Sequence, residues 1–197
     1  MTMDDRDIDV SVLMLGIDAA ARETVQQAMR ELAERGDTGS PAGLVRMLRE
    51  AIAVLRGADA AWTHAGAQNH RPMPPAQAEA AFAKAARAAR SRFEHELVRS
   101  AHGRITRKEA PAIAEREGVR GVVVVTIVVA ARVELADVLD VRDRPRLERA
   151  LDALSALDPR DFVALEVIWS PADEREQVTA EEIEARYPEL VRLEPAP

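Results

Sequence analysis

Glu166 is the residue whose position most suggests chemistry. It lies in an apolar run that begins at Phe162, and strand alternation predicts that its side chain shares a face with Phe162, Ala164 and Ile168. A carboxylate buried among apolar side chains holds its proton more tightly, which suits a general acid or base. The more ordinary alternatives are an ion pair with an arginine such as Arg132, or a sheet face that is open to water.

The histidines offer a weaker case for a metal site. The chain has four, at His64, His70, His95 and His102. His95 and His102 are seven residues apart and would share one face of a helix, which makes them the candidate pair. A catalytic zinc usually has three protein ligands, and the chain has neither a His-Glu-x-x-His pattern nor a cysteine. We therefore expect no metal, and histidines that are solvated or cap helices.

The sequence motifs of several common activities are missing. The chain contains no G-x-S-x-G elbow of a serine hydrolase, no G-x-x-x-x-G-K-[ST] phosphate loop and no G-x-G-x-x-G fingerprint. Nucleotide binding by a known motif is not expected, and we predict no cofactor.

A basic segment stands out in an otherwise acidic chain. Residues 84–108 contain eight Lys or Arg and two acids, whereas residues 171–197 contain eight acids and three arginines. The candidates for contact with a partner or surface are Lys84, Arg87, Arg90 and Arg99. Such a segment could meet an anionic membrane or an acidic partner. We favour the simpler interpretation, a solvated helix face whose charge is balanced by the acidic tail of the same chain.

Composition excludes other functions. A net charge of −7 disfavours nucleic acid as a partner, because phosphate contacts dominate that affinity. The first ten residues do not resemble a signal peptide, and the apolar run 122–131 is about half the length of a membrane helix. We expect a cytoplasmic protein with no transmembrane segment. We also expect one globular domain at 10–193, an acidic flexible N-terminus at 1–9 and a tail at 194–197.

Hydrophobic periodicity and end signals predict the order β-α-α-β-α-α-β-α-β-α. Strands are predicted at 10–17, 60–67, 121–133 and 162–169. Helices are predicted at 19–35, 41–56, 76–100, 106–116, 144–157 and 179–187. Ser40 and Thr179 are the predicted caps of two helices, and residues 68–75, with three prolines, are predicted to be a surface loop.

This pattern predicts an α/β fold, with α+β as the alternative: a single sheet of about four strands with helices packed on it. The strand at 121–133 is apolar on both faces and should lie inside the sheet. A strand–helix–strand unit such as 121–169 often has parallel strands, but the antiparallel arrangement stays open.

The chain also resembles the family known as domain of unknown function 1517, found in cyanobacteria, plastids and other bacteria. The matching segments are VVVVTIVVAAR at 122–132, the run from Leu147 to Pro171, TAEEIEARYPELVRL at 179–193 and, more weakly, ERGDTGSPAGL at 34–44. Many members carry a hydrophobic, glycine-rich N-terminal region that suggests membrane attachment, which this chain, with nine glycines, does not show. The family has no established active site, so the resemblance implies a fold and no chemistry.

Two hypotheses of different classes follow, and a third concerns membranes. The leading one is a non-enzymatic protein-binding or regulatory module that presents a helix face or a sheet edge to a protein partner, with self-association included. The second is an enzyme with an acid–base site near Glu166, Trp62 and the loop around His70. The third is a peripheral membrane protein that binds through the basic helix 84–108. An enzyme should hold Glu166 in a deep pocket with other polar groups.

Overall fold

In the part of the chain that the structure describes, five antiparallel strands form one sheet, and helices cover both of its faces. A computed structural model describes residues 6–92, 121–171 and 179–194. The strands are β1 (Ile8–Ile17), β2 (Trp62–Met73), β3 (Val123–Ala131), β4 (Phe162–Ser170) and β5 (Val191–Arg192), and they lie in the order β4-β3-β1-β2-β5. The helices are α1 (Ala19–Arg35), α2 (Pro41–Arg56), α3 (Pro75–Ser91), α4 (Arg144–Ser155) and α5 (Ala180–Arg186).

The two central strands divide the apolar side chains into two cores. Alternate residues of β1, such as Leu13 and Leu15, pack with α1, α2 and α4 in the larger core. The intervening residues, such as Val12 and Met14, pack with α3 and α5 in the smaller core. Every residue of β1 and β3 is buried, as expected for strands covered on both faces.

The structure confirms the prediction of a mixed α/β fold with one sheet of about four strands. The sheet has a short fifth strand, β5, and all of its pairs are antiparallel, including β3 with β4 across α4. The parallel arrangement of that strand–helix–strand unit is therefore not the one adopted. β1 begins at Ile8, so Ile8 and Asp9 belong to the strand rather than to a flexible terminus.

Local end signals place several helices where the sequence predicts them. The Ser40 hydroxyl accepts the Gly43 N–H at 3.0 Å and opens α2. Thr179 and Glu182 form a capping box at α5, in which each side chain accepts the other residue's backbone N–H. The predicted helix at 106–116 and residues 93–100 of the predicted helix 76–100 lie outside the described residues.

The predicted loop at 68–75 is wrong. β2 continues to Met73, and α3 starts two residues later at Pro75. Pro72 is tolerated because it falls in a register shift between the pairs Ile8–Met73 and Val10–His70, where the ladder is interrupted. Proline therefore marks an irregular strand end here, not the absence of a strand.

Gly66 sets the distance at which the C-terminal segment crosses β2. A Cβ atom at this position would lie 2.5 Å from the backbone oxygen of Glu189 and 3.2 Å from Leu190 Cδ2. β5 pairs with β2 immediately beside it, at Ala65 and Val191. Only glycine allows this approach without moving the backbone.

We predict that Gly66→Ala lowers the free energy of unfolding by about 1–3 kcal/mol, because the new methyl group collides with backbone. Gly57→Ala is the matched control. Its Cβ would meet nothing closer than 3.4 Å, and Gly57 has ordinary right-handed helical angles. The control should leave stability unchanged or raise it by about 0.4–1 kcal/mol. Urea unfolding followed by tryptophan fluorescence measures both, and equal midpoints would contradict the proposed crossing.

Candidate functional site

Arg90 of α3 forms an ion pair with Glu166 of β4. The Arg90 Nε–H donates to Glu166 Oε1 at 2.6 Å, and Nη2 contacts the same oxygen. The Glu166 side chain is 24% exposed and that of Arg90 is 54% exposed. The partner is Arg90, not Arg132. Glu166 therefore takes part in an ion pair, which is the more ordinary of the environments expected for it.

A bulge in β4 changes the face on which its first residues lie. Ala131 pairs with Phe162 and Ala130 with Ala164, so Val163 is an extra residue in the strand. Phe162 consequently packs in the larger core, whereas Ala164 lies on the opposite face with the smaller core. The prediction that Phe162 shares a face with Glu166 is wrong, because simple alternation does not continue through a bulge.

The structure does not bring together the residues proposed for an acid–base site. Glu166 lies on β4, whereas Trp62 and His70 lie on β2, and β3 and β1 run between these two strands. Trp62 is 3% exposed, and its Nε1–H donates to the Leu55 carbonyl at 2.9 Å. Trp62 therefore anchors the end of α2 in the larger core.

The remaining predicted site residues are scattered or undescribed. Lys84 and Arg87 lie exposed on α3. His95, His102 and Arg99 fall outside the described residues. Within residues 6–92, 121–171 and 179–194, no three His, Cys, Asp or Glu side chains are grouped to hold a metal ion. None of the helices in those ranges is both long enough and apolar enough to cross a membrane.

His64 is buried rather than solvated. It is 1% exposed on β2, and its Nε2 lies 3.3 Å from Oε1 of Glu184 in α5. Arg192 of β5 contacts the same carboxylate oxygen at 3.2 Å. Glu184 therefore links β2, α5 and β5, and the contact of His64 with Glu184 helps to hold these three elements together.

Asp9 carries a fully buried carboxylate that the sequence analysis did not single out. Its Oδ1 accepts from the Ser11 hydroxyl at 2.7 Å, and both oxygens accept from the Asn69 amide at 3.0 Å. The Leu135 N–H also donates to Oδ2 at 3.3 Å. This network fixes the connection after β3 to β1 and β2. The one sequence signal is the alternation of Asp9 and Ser11 with Val10 and Val12 at the start of an apolar strand.

Tyr187, at the end of α5, is buried beneath an arginine. The guanidinium of Arg92 lies 4.3 Å from the centre of the ring, contacts Glu189 and donates to the Arg186 carbonyl at 3.3 Å. Burial raises the pKa of Tyr187 to about 12, and the positive charge of Arg92 only partly opposes this shift. The tyrosine is thus a neutral packing residue at physiological pH.

The outer edge of β4 carries seven successive half-buried residues, 163–169. β4 has nine residues and pairs with β3 on one side, and no strand among the described residues pairs with its other side. Leu165, Val167 and Trp169 are half-buried against the larger core and line a small cleft of about 100 Å³. The Glu166–Arg90 pair lies near the middle of this edge.

Comparison with known proteins identifies the family. The sequence model of "Protein of unknown function (DUF1517)" matches residues 7–193, so the chain belongs to this family. No solved structure matches significantly.

Two curated relatives are similar over nearly the whole chain. "Protein FLAP1 homolog A" of Synechocystis is 30% identical over 193 residues, which cover 94% of this chain and 57% of the relative. "FLUCTUATING-LIGHT-ACCLIMATION protein 1, chloroplastic" of Arabidopsis thaliana is 25% identical over 188 residues, which cover 95% of this chain and 47% of the relative. The chain thus spans about half the length of these relatives.

We predict that Asp9→Asn lowers the free energy of unfolding by about 1–3 kcal/mol, because an amide would turn donors toward the Asn69 amide and the Leu135 N–H. Asp7→Asn removes the same charge at an exposed position two residues away and should change stability by less than about 0.5 kcal/mol. Urea unfolding at pH 7 compares the two. Equal effects would mean that the loss comes from net charge and not from the buried network.

We predict that Tyr187, the single tyrosine of the chain, ionises near pH 12 in the folded protein and near pH 10 in urea. The pKa of Tyr187 is higher in the folded protein than in the unfolded chain. The contribution of the neutral ring to the free energy of unfolding is therefore fully present below about pH 10 and is lost as the pH rises toward 12. Absorbance at 295 nm reports the phenolate, and circular dichroism reports the fold. A native titration midpoint near 10 would show that the ring is accessible to water.

Proposed function

We propose that this DUF1517 domain is a non-enzymatic protein-binding module that acts through the free edge of β4, and that a second copy of the chain is the partner that this edge fits. The observation that carries the proposal is a nine-residue edge strand with a charge-neutral Glu166–Arg90 pair near its middle. The proposed contact is antiparallel pairing of β4 with β4 of the second copy, which makes one continuous sheet.

The backbone of β4 supports strand addition. An edge strand presents a row of N–H and C=O groups that can hydrogen-bond to another strand. Proteins usually protect a long edge with proline, lysine or inward-pointing charges. β4 contains no proline and no lysine, and its single charged residue, Glu166, is already paired with Arg90. An edge of this length and composition favours pairing.

The side chains of β4 are complementary to their own two-fold copy. An antiparallel pair centred on Glu166 would set Ala164 opposite Ile168 of the second copy and Leu165 opposite Val167 of the second copy. On one face of the sheet the small Ala164 then lies opposite the larger Ile168, and on the other face the apolar Leu165 lies opposite the apolar Val167. Such cross-strand pairs stabilise a sheet. The same surface patch serves both copies, which is the rule for a two-fold interface.

The charged pair supports a second copy rather than an unrelated apolar strand. Both contacts from Arg90 reach Oε1 of Glu166, and Oε2 accepts no further bond from the described residues. Two such pairs brought together at the axis contain two carboxylates and two guanidinium groups, with no net charge. Each Arg90 could then also donate to Oε2 of Glu166 in the other copy. In the resulting group of two carboxylates and two guanidinium groups, attraction between opposite charges offsets repulsion between like charges.

Two observations favour a function without catalysis. The candidate acid, Glu166, is held by Arg90, and the other residues proposed for an acid–base site lie on β2, beyond the two intervening strands β3 and β1. The name of the Arabidopsis relative refers to acclimation to fluctuating light, which is a regulatory outcome and not a reaction.

We predict a concentration-dependent dimer in analytical ultracentrifugation at micromolar protein. Glu166→Lys would place four cations at the axis and should raise the dimer Kd at least about tenfold, since facing like charges oppose association. The exchanged variant Arg90→Glu/Glu166→Arg restores both kinds of pair and should recover the Kd to within a few-fold.

Arg142→Glu reverses a charge at a 71%-exposed site after β3 and is the control, with no expected effect on the Kd. Thermal melts of all variants show that each is folded. A wild-type protein that stays monomeric at hundreds of micromolar, or an unchanged Kd for Glu166→Lys, would rule out pairing through β4.

A further inference from the structure

The methionines of this chain differ in their access to water. The chain has six, and four of them lie among the described residues. Met14 and Met29 are 2% and 1% exposed, inside the smaller and the larger core. Met47 of α2 and Met73 of β2 are half-buried. The thioethers that a dissolved reagent can reach in the described part of the chain are therefore those of Met47 and Met73.

Met47 lies between an apolar cavity and a polar one. It lines the cleft of about 100 Å³ beside β4, together with apolar side chains such as Leu44 and Trp169. It also lines a polar hollow of about 150 Å³ where α1 ends and α2 passes. The charged side chains of this hollow are 43–68% exposed, so it is open to water, and they are Arg35, Asp37, Arg46 and Glu50.

The sulfur of Met47 lies on the side of the polar hollow. A Cβ atom at Gly36 would overlap both Sδ and Cε of Met47, so the end of this side chain rests against the Gly36 backbone. Gly36 has a φ of −68°, which any residue can adopt, and its missing side chain leaves room for the thioether. Gly36 itself lines the hollow. A small reagent that enters the hollow from water therefore meets the sulfur.

We propose that Met47 is a site of reversible oxidation by hydrogen peroxide, and that its sulfoxide loosens the packing of α2 on β4. The sulfur lone pair attacks one peroxide oxygen, so that an S–O bond forms and the O–O bond breaks. The sulfide is oxidised, and the peroxide is reduced to water. Methionine sulfoxide reductases reverse the change, with two thiols as the reductant, which become a disulfide as water is released.

The sulfoxide is unfavourable on the apolar side of Met47. Oxidation turns an apolar, flexible side chain into a polar one. An S–O group that is buried in the cleft without a hydrogen-bond donor costs free energy, whereas the same group in the hollow contacts water. The oxidised side chain is therefore favoured on the hollow side. The cleft that Leu165, Val167 and Trp169 line then loses one of its apolar walls.

This step needs no cation from the hollow. Arg35 keeps its contact with Glu50 at 3.6 Å, and Arg46 keeps its contact with Asp37 at 3.9 Å, because water satisfies the sulfoxide oxygen. The inference is also independent of pairing through the outer edge of β4, since the expected change occurs within one copy of the chain.

The test treats the folded chain with dilute hydrogen peroxide and locates the sulfoxides by peptide mass spectrometry. We expect Met47 to be oxidised at least about tenfold faster than Met14 and Met29. The Tm should then fall by at least about 3 °C. Tryptophan emission should move to longer wavelength as Trp169 gains water, and methionine sulfoxide reductases should restore both values. A Met47 that reacts no faster than Met14 and Met29, or a Tm unchanged by its oxidation, would overturn the proposal.

Two leucine variants separate Met47 from the other methionines. Met47→Leu keeps an apolar side chain of similar volume and has no sulfur, so peroxide should leave its Tm and emission unchanged. Met73→Leu makes the same change at the other half-buried methionine and should respond to peroxide as the wild type does. An equal fall in Tm for Met47→Leu would assign the effect to other residues and refute the proposal.

Met47→Gln provides a test without peroxide. Glutamine has a similar length and a permanent polar end, so this variant should show the lower Tm and the longer emission wavelength of the oxidised wild type. A Tm and an emission equal to those of Met47→Leu would show that the cleft tolerates a polar group at this position, which contradicts the proposed loosening.

Discussion

The burial of β1 and β3 on both faces is the constraint on which the rest of this structure depends. Every side chain of these two strands is enclosed, so helices must cover both faces of the sheet. A charged group in such a strand must find its hydrogen-bond partners inside the protein, because the cost of leaving it without them is high. Asp9 meets this requirement with Ser11, Asn69 and Leu135, and in doing so fixes the connection that follows β3.

The same constraint moves accessible chemistry to the periphery of the sheet. β4 lies at one edge and contacts water along one side, which leaves Glu166 partly exposed and able to pair with Arg90. At the opposite edge the short strand β5 covers β2 only at His64 and Ala65. The β4 edge is therefore a surface that can meet a partner. It depends on central strands that are rigid because they are packed on both sides.

Sequence reasoning succeeded where the signal is local. Ser40 and Thr179 open helices because a side-chain oxygen accepts an N–H three residues later, and this needs no information from elsewhere in the chain. It failed where a neighbouring strand decides the outcome. Pro72 lies within β2 because a bulge against β1 removes the need for its N–H, and Phe162 changes faces because of a bulge against β3. Neither bulge has a signature in the residues alone.

The sequence by itself determined most of the helices and strands among the described residues, the burial of the central strand 123–131 and membership of the family, since periodicity, caps and motifs are carried by adjacent residues. Only the tertiary structure decided which groups meet. Glu166 pairs with Arg90 across 76 positions, and Asp9 accepts from Leu135 across 126. Such contacts depend on strand order and register, which are set by the packing of the whole sheet and not by any local pattern.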